Sequence, residues 1–192
     1  MHEIISVTDR DKHALKKQLG IDNINPAGIV ERCPYGYPSI IMLHPLGGRH
    51  EQREEAREQC FKRITNLLWL TCPYLNKKIH DLESQGYINR ISSFISGDTN
   101  LVFLMKEAHA DYHYLRKNLC RKFIEKGDDV FFKYINFMNT GIGGIKNIDH
   151  LKCLHLHYAH YRVCEKNVAG KIVYHLLNGT ISCNEVLCEN RS

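Results

Sequence analysis

The chain has 192 residues, 43% of them hydrophobic, and its 26 basic and 21 acidic side chains leave a net charge of +5. That length serves one well-buried core rather than two full domains, and so small a charge excess, without a long basic run, excludes a nucleic-acid-binding tail. The first ten residues carry Glu3, Asp9 and Arg10 in place of a basic start and an apolar centre, and no stretch approaches the roughly 20 apolar residues of a bilayer span. A cytoplasmic protein with no membrane partner is therefore expected.

Thr8 ahead of Asp9, Arg10 and Asp11 predicts a capped helix start and Gly20 a stop, so a first helix spans about residues 9–19. Residues 29–30 and 39–43 have strand composition and flank the Pro- and Gly-containing turn 33–38, which predicts a β-hairpin. Residues 50–62 carry charges of both signs at short intervals and read as a solvated helix. The apolar run 66–70 suits a buried strand closed by Thr71, Cys72 and Pro73, and Pro73 can open a helix that runs to Gly86. Cys72 then sits at a helix N-terminus, where free amides and the helix dipole would favour its thiolate. A small buried residue in a strand-to-helix turn is the competing reading.

Residues 101–126 read as a long helix with Val102, Met105, Tyr112, Leu115, Leu119 and Phe123 at apolar positions. Its His109 and His113 stand four apart, a spacing that can grip a metal, but Ala110 follows where a metalloprotease carries Glu. Histidines hydrogen-bonded between helices are the expectation there. Arg116, Lys117, Arg121 and Lys122 form a basic patch, read as solvated charge that an anion would have to claim. Residues 128–138 suggest another helix or buried segment leading into the glycine-rich run 140–145. That run lacks the Lys-Ser/Thr ending of a P-loop, so close backbone packing is favoured over nucleotide binding.

Residues 152–164 pack three histidines and two cysteines into one predicted helix. At about 100° per residue, Cys153, His157, His160 and Cys164 fall within roughly 60° of one another, while His155 points to the opposite face. The spacing His155, His157, His160 is that of the H-x-H-x-D-H motif of binuclear hydrolases, but Ala159 stands where the motif needs Asp. A last helix follows through Ile172, Val173, Leu176 and Leu177. The eight cysteines are Cys33, Cys60, Cys72, Cys120, Cys153, Cys164, Cys183 and Cys188. Without an export signal they read as thiols, ligands or redox groups rather than a disulfide framework, and no C-x-x-C knuckle occurs. Cys183 and Cys188 fall in a polar tail, about 180–192, that is expected to fray, and are set aside as ligands.

Several blocks together resemble a bacterial family known as domain of unknown function 501. They are Arg32-Cys33-Pro34-Tyr35-Gly36-Tyr37-Pro38, Trp69-Leu70-Thr71-Cys72-Pro73, residues 107–116, Gly143-Gly144, and Lys152-Cys153-Leu154-His155-Leu156-His157-Tyr158-Ala159. The resemblance covers about residues 25–175, with a charged insertion at about 47–63. It implies an uncharacterised family and supplies no activity. Its blocks nominate Cys33, Cys72 and Cys153 as one constellation, with His157 or His155 as a fourth member. Such a set could hold tetrahedral zinc, or three cysteines an iron–sulfur cluster with one iron left open. Two other classes stay open: a metal-free module in which the basic patch and glycine loop meet RNA, an anion or a protein, and a thiol enzyme with Cys72 as nucleophile. The fold expectation is a single-domain, predominantly helical α+β protein with a small β-element.

Overall fold

The computed structural model describes residues 4–22, 24–44, 65–123, 140–147 and 150–188. The predicted helix at 50–62, the charged insertion, Cys60 and the segment 128–138 lie outside them. The fold is α+β and mostly helical, with six α-helices around a three-stranded antiparallel sheet among the described residues. No helix among them is long and apolar enough to cross a membrane.

Helix α1 (Asp9–Leu19) begins with a capping box. Thr8 Oγ1 accepts from the Asp11 amide at 3.2 Å, and the Asp11 carboxylate accepts from the Thr8 amide at 2.9 Å, so two amides left over at the helix start are satisfied reciprocally. Strands β1 (Pro26–Arg32) and β2 (Pro38–Leu43) form the predicted hairpin, and β3 (Leu68–Leu70) pairs with the other edge of β2. All six residues of β2 are buried because the strand is covered on both faces. Ile40 and Met42 join Leu68, Leu70 and Leu75 in the main core, while Ile41 and Leu43 meet Leu15 of α1 and Ile29. Successive side chains of a strand point to opposite faces, so this central strand reads as a continuous apolar run.

Pro73 opens α2 (Pro73–Ser84), as its missing amide allows. Gly86, at φ 79°, then turns the chain into α3 (Tyr87–Ser96), an element the sequence reading passed over. Ile91 and Ile95, four residues apart, are its buried face. Asp98 accepts from the amides of Asn100 and Leu101 at 2.8 and 3.2 Å and so starts α4 (Thr99–Phe123). A 3₁₀ turn (Ile142–Gly144), α5 (Leu154–Tyr161) and α6 (Val168–Leu176) complete the order.

Helix α5 is the innermost helix. Six of its eight residues, Leu154, Leu156, His157, Tyr158, Ala159 and His160, are buried, and it packs against β3, α2, α6 and the 3₁₀ turn. A helix buried all round shows no polar face, which is why its histidines look like a functional stripe from sequence. The predicted 13-residue helix is only eight residues long, so Cys153 is its N-cap and Cys164 lies in the turn beyond its end. The four-ligand stripe therefore does not exist on one helix.

One member of the predicted solvated basic patch is corrected, while Arg121 is exposed as expected. Arg116 is 1% exposed and donates to Thr140 Oγ1 and the Gly141 carbonyl, each at 3.0 Å, with its guanidinium 5.3 Å from the centre of the Tyr112 ring. It fastens the glycine-rich segment to α4 instead of facing water. That segment spends its amides internally: Gly141 donates to the Ile145 carbonyl, Ile142 to His109 Nδ1 and Gly144 to the Gly141 carbonyl. A Cβ on Gly141 would come within 2.2 Å of His109 Nδ1, so close approach is what the glycine provides.

Candidate metal centre

Among the described residues, Glu83, Cys153 and His155 are the group of three His, Cys, Asp or Glu side chains whose donor atoms all lie within 4.8 Å of one another. Glu83 comes from the last turn of α2, Cys153 is the N-cap of α5 and His155 lies in the first turn of α5. The α2–α5 packing that buries Leu75, Ile79 and Leu154 thus sets the spacing of the three donors. Glu83 Oε1 accepts from the Leu154 amide at 2.7 Å, placing a carboxylate at the start of α5 where the helix dipole favours negative charge. The same oxygen stands 3.2 Å from His155 Nδ1, and Cys153 Sγ is 3.7 Å from that nitrogen.

The orientation of the His155 ring is fixed from its far side. Its Nε2 lies 3.1 Å from the Asn76 carbonyl, which can only accept, so Nε2 carries a proton. In the neutral ring Nδ1 is then the lone-pair nitrogen, aimed at Cys153 and Glu83. Asn76 is held in turn, donating from Nδ2 to the Leu70 carbonyl at 3.0 Å. Burial disfavours the imidazolium, but the Cys153 sulfur, the Glu83 charge and the Asn76 carbonyl outweigh it and push His155 up to about 9. Beside the group opens a recess of about 220 Å³ whose lining includes Trp69, Lys152, Cys153, His155 and Leu156. Glu83 was not singled out from the sequence; it lies about 70 residues from its partners and belongs to no motif.

Of the residues nominated from sequence, Cys153 and His155 come together here, and Cys33, Cys72 and His157 lie outside the group. His157 points into a buried polar cluster on the other side of α5. Its Nδ1 donates to Asn167 Oδ1 at 3.3 Å, and Asn167 Nδ2 donates to His160 Nδ1 at 3.0 Å. The Asn167 oxygen also accepts from the Gly170 amide and caps α6. His109 meets His157 edge to face, with ring centres 6.3 Å apart. Burial holds all three imidazoles neutral, lowering His109 and His157 to about 4 and His160 to about 3. His109 is hydrogen-bonded between elements, as expected, through the Ile142 amide.

Cys72 does occupy the N-cap of α2, but its thiol is shifted upward, not activated. Burial is the larger effect and outweighs the Leu75 and Tyr74 amides that favour the thiolate. Cys183 and Cys188, set aside as part of a fraying tail, are buried to 6% and 4% exposure. The seven described cysteines are all free thiols.

The chain belongs to the family described as "Protein of unknown function (DUF501)", whose match spans residues 29–175. Strand β2, Cys33, Cys72, Glu83, Cys153 and His155 all lie inside that span. No curated protein and no solved structure matches the chain.

Proposed function

We propose that this DUF501 member binds a zinc-class transition-metal ion through Glu83 carboxylate, Cys153 thiolate and His155 Nδ1, with a fourth coordination position open to the recess beside Trp69. The observation that carries the reading is the His155–Asn76 hydrogen bond. A ligating histidine characteristically donates its other ring N–H to a backbone carbonyl or carboxylate, which fixes its tautomer and raises its basicity. One sulfur, one imidazole nitrogen and one carboxylate oxygen form a borderline donor set suited to tetrahedral zinc. Three protein ligands beside an accessible recess are the pattern of a site that takes a water or substrate, whereas a closed structural site uses four. An iron–sulfur cluster is less well served, because Cys153 is the only thiol in the group.

Binding requires Cys153 to lose its thiol proton and His155 its Nδ1 proton, so affinity rises with pH. The free thiols of the described residues suit a reducing compartment and support a cytoplasmic protein. Metal analysis of the reduced, intact chain tests the reading. Cys153→Ala combined with His155→Ala should lower bound zinc by about one ion per chain and leave the fold cooperative. Unchanged zinc in that variant would overturn it. The second reading, a Cys153 nucleophile with His155 as base, draws on their 3.7 Å separation. It would gain if chelated protein showed rapid alkylation confined to Cys153 while zinc left the rate unaltered.

A further inference from the structure

We propose that the recess beside the candidate centre takes an extended peptide segment bearing a carboxylate, which pairs with the open edge of β3 as a fourth strand. The inference deepens the metal reading by naming what reaches the open coordination position, and it rests on that reading for the position alone. Among the described residues β3 is an edge strand, with β2 on one side only. Register decides which of its main-chain groups face outward. The Thr71 amide donates to the Ser39 carbonyl and the Leu43 amide to the Leu67 carbonyl, each at 2.8 Å, and Trp69 stands opposite Ile41. The ladder to β2 therefore runs through residues 67, 69 and 71. Bonding alternates along an antiparallel pair, so the main-chain groups of Leu68 and Leu70 point away from β2.

Leu68, Trp69 and Leu70 line the recess of about 220 Å³ together with Lys152, Cys153 and His155. The side chains of Leu68 and Leu70 belong to the main core, so the hydrogen-bonding groups these residues offer are main-chain ones. One of them is spent. The Leu70 carbonyl accepts from Asn76 Nδ2 at 3.0 Å, and the Asn76 carbonyl lies 3.1 Å from His155 Nε2, so Asn76 joins the outer edge of the strand to the candidate centre. Among the described residues, no hydrogen bond reaches the Leu68 amide, the Leu68 carbonyl or the Leu70 amide. Donor, acceptor and donor at strand spacing form a template for another extended chain, whose carbonyls and amide can meet all three. Lys152 sets the charge of that chain. Its Nζ donates to the Gly143 carbonyl at 3.1 Å and keeps two further protons to donate, and it is the one permanently charged side chain in the described lining. A carboxylate on the peptide is its complement.

The test follows backbone amide exchange by NMR on the reduced full chain, with acetyl-Thr-Val-Asp-Val-Thr-amide as the probe. Saturating peptide should slow exchange of the Leu68 and Leu70 amides about tenfold or more, while the Trp69 amide, already paired with β2, should change by less than about twofold. N-methylation of every peptide amide removes the donors and keeps the side chains, and it should weaken binding about tenfold or more. Lys152→Gln should lower affinity for the peptide about threefold or more and leave affinity unchanged for the same peptide with Asn in place of Asp. Equal affinity of the methylated and unmethylated peptides would overturn the proposal. So would Leu68 and Leu70 amides as protected as that of Trp69 in the peptide-free chain, or no added protection at millimolar peptide. In the Cys153→Ala, His155→Ala variant the same exchange pattern should persist. Edge protection there with unchanged zinc would overturn the metal reading alone, whereas zinc lost as expected and no edge protection in either chain would overturn this proposal alone.

Discussion

At the scale of single residues, Asn167 shows how much one polar side chain can organise. Itself at 0% exposure, it caps α6 through Gly170, accepts from His157 and donates to His160. Asn167→Leu would strip hydrogen-bond partners from two buried imidazoles and remove a helix cap. The expected loss is about 3 kcal/mol of unfolding free energy, from about 1–3 for each orphaned buried group and about 1 for the cap, read from urea midpoints. A loss under 1 kcal/mol would show that the histidines find other partners. The same residues mark the limit of what the sequence discloses. Cys153 and His155 were legible as ligand types, yet Glu83 was not, since a carboxylate becomes a ligand only through the fold that carries it there. His157 and His160 share a helix stripe with Cys153 in projection, but an amide ten residues from His157 claims them. The burial of Cys183 and Cys188 was not legible, because their positions near a polar terminus carry no periodic pattern.

Among the elements, the pairing of α5 with α6 has least room to spare. A Cβ on Gly170 would lie 2.1 Å from the His157 carbonyl oxygen, a backbone atom that cannot move aside without the helix. Gly170→Ala should therefore separate α5 from α6 and cost about 3 kcal/mol, although alanine is the better helix former in isolation. A stabilised variant by thermal unfolding would contradict the packing described. Boundaries follow a similar logic. α1, the hairpin and α2 were predictable because their signals are local: a capping box, a Gly–Pro turn and a Pro at the first helical position. α5 ended early because tertiary contacts, not propensity, decide where a wholly buried eight-residue helix stops. α3 went unrecognised because Gly86 ends one helix and starts the next without an intervening loop.

For the whole molecule, the buried histidines couple stability to acid. Burial lowers His109 and His157 to about 4 and His160 to about 3 from an unfolded value of 6.5. Below pH 6.5 the unfolded chain takes up protons that the folded chain refuses, so stability falls with falling pH and the loss is complete near the folded values. With three such groups the slope between pH 6 and pH 4.5 should reach about 3 to 4 kcal/mol per unit, measured as urea midpoints against pH. His109→Gln should flatten that slope by about a third even where it lowers stability overall. Constant stability between pH 7 and pH 5 would mean these imidazoles are charged or solvated in the native state. The global architecture, a small sheet with helices on both faces, was legible as α+β. The convergence of segments some 150 residues apart at one end of the sheet was not, because it depends on side-chain contacts such as Tyr35 with Asn184 that leave no periodic trace.

Trp69 is the chain's one tryptophan; it stands in β3, lines the recess beside Cys153 and His155, and packs against the Leu15, Ile29 and Ile41 cluster. All indole emission from this protein therefore originates at a single point next to the candidate centre. Events in the recess change that emission directly. Unlabelled protein thus carries its own optical reporter of the candidate centre.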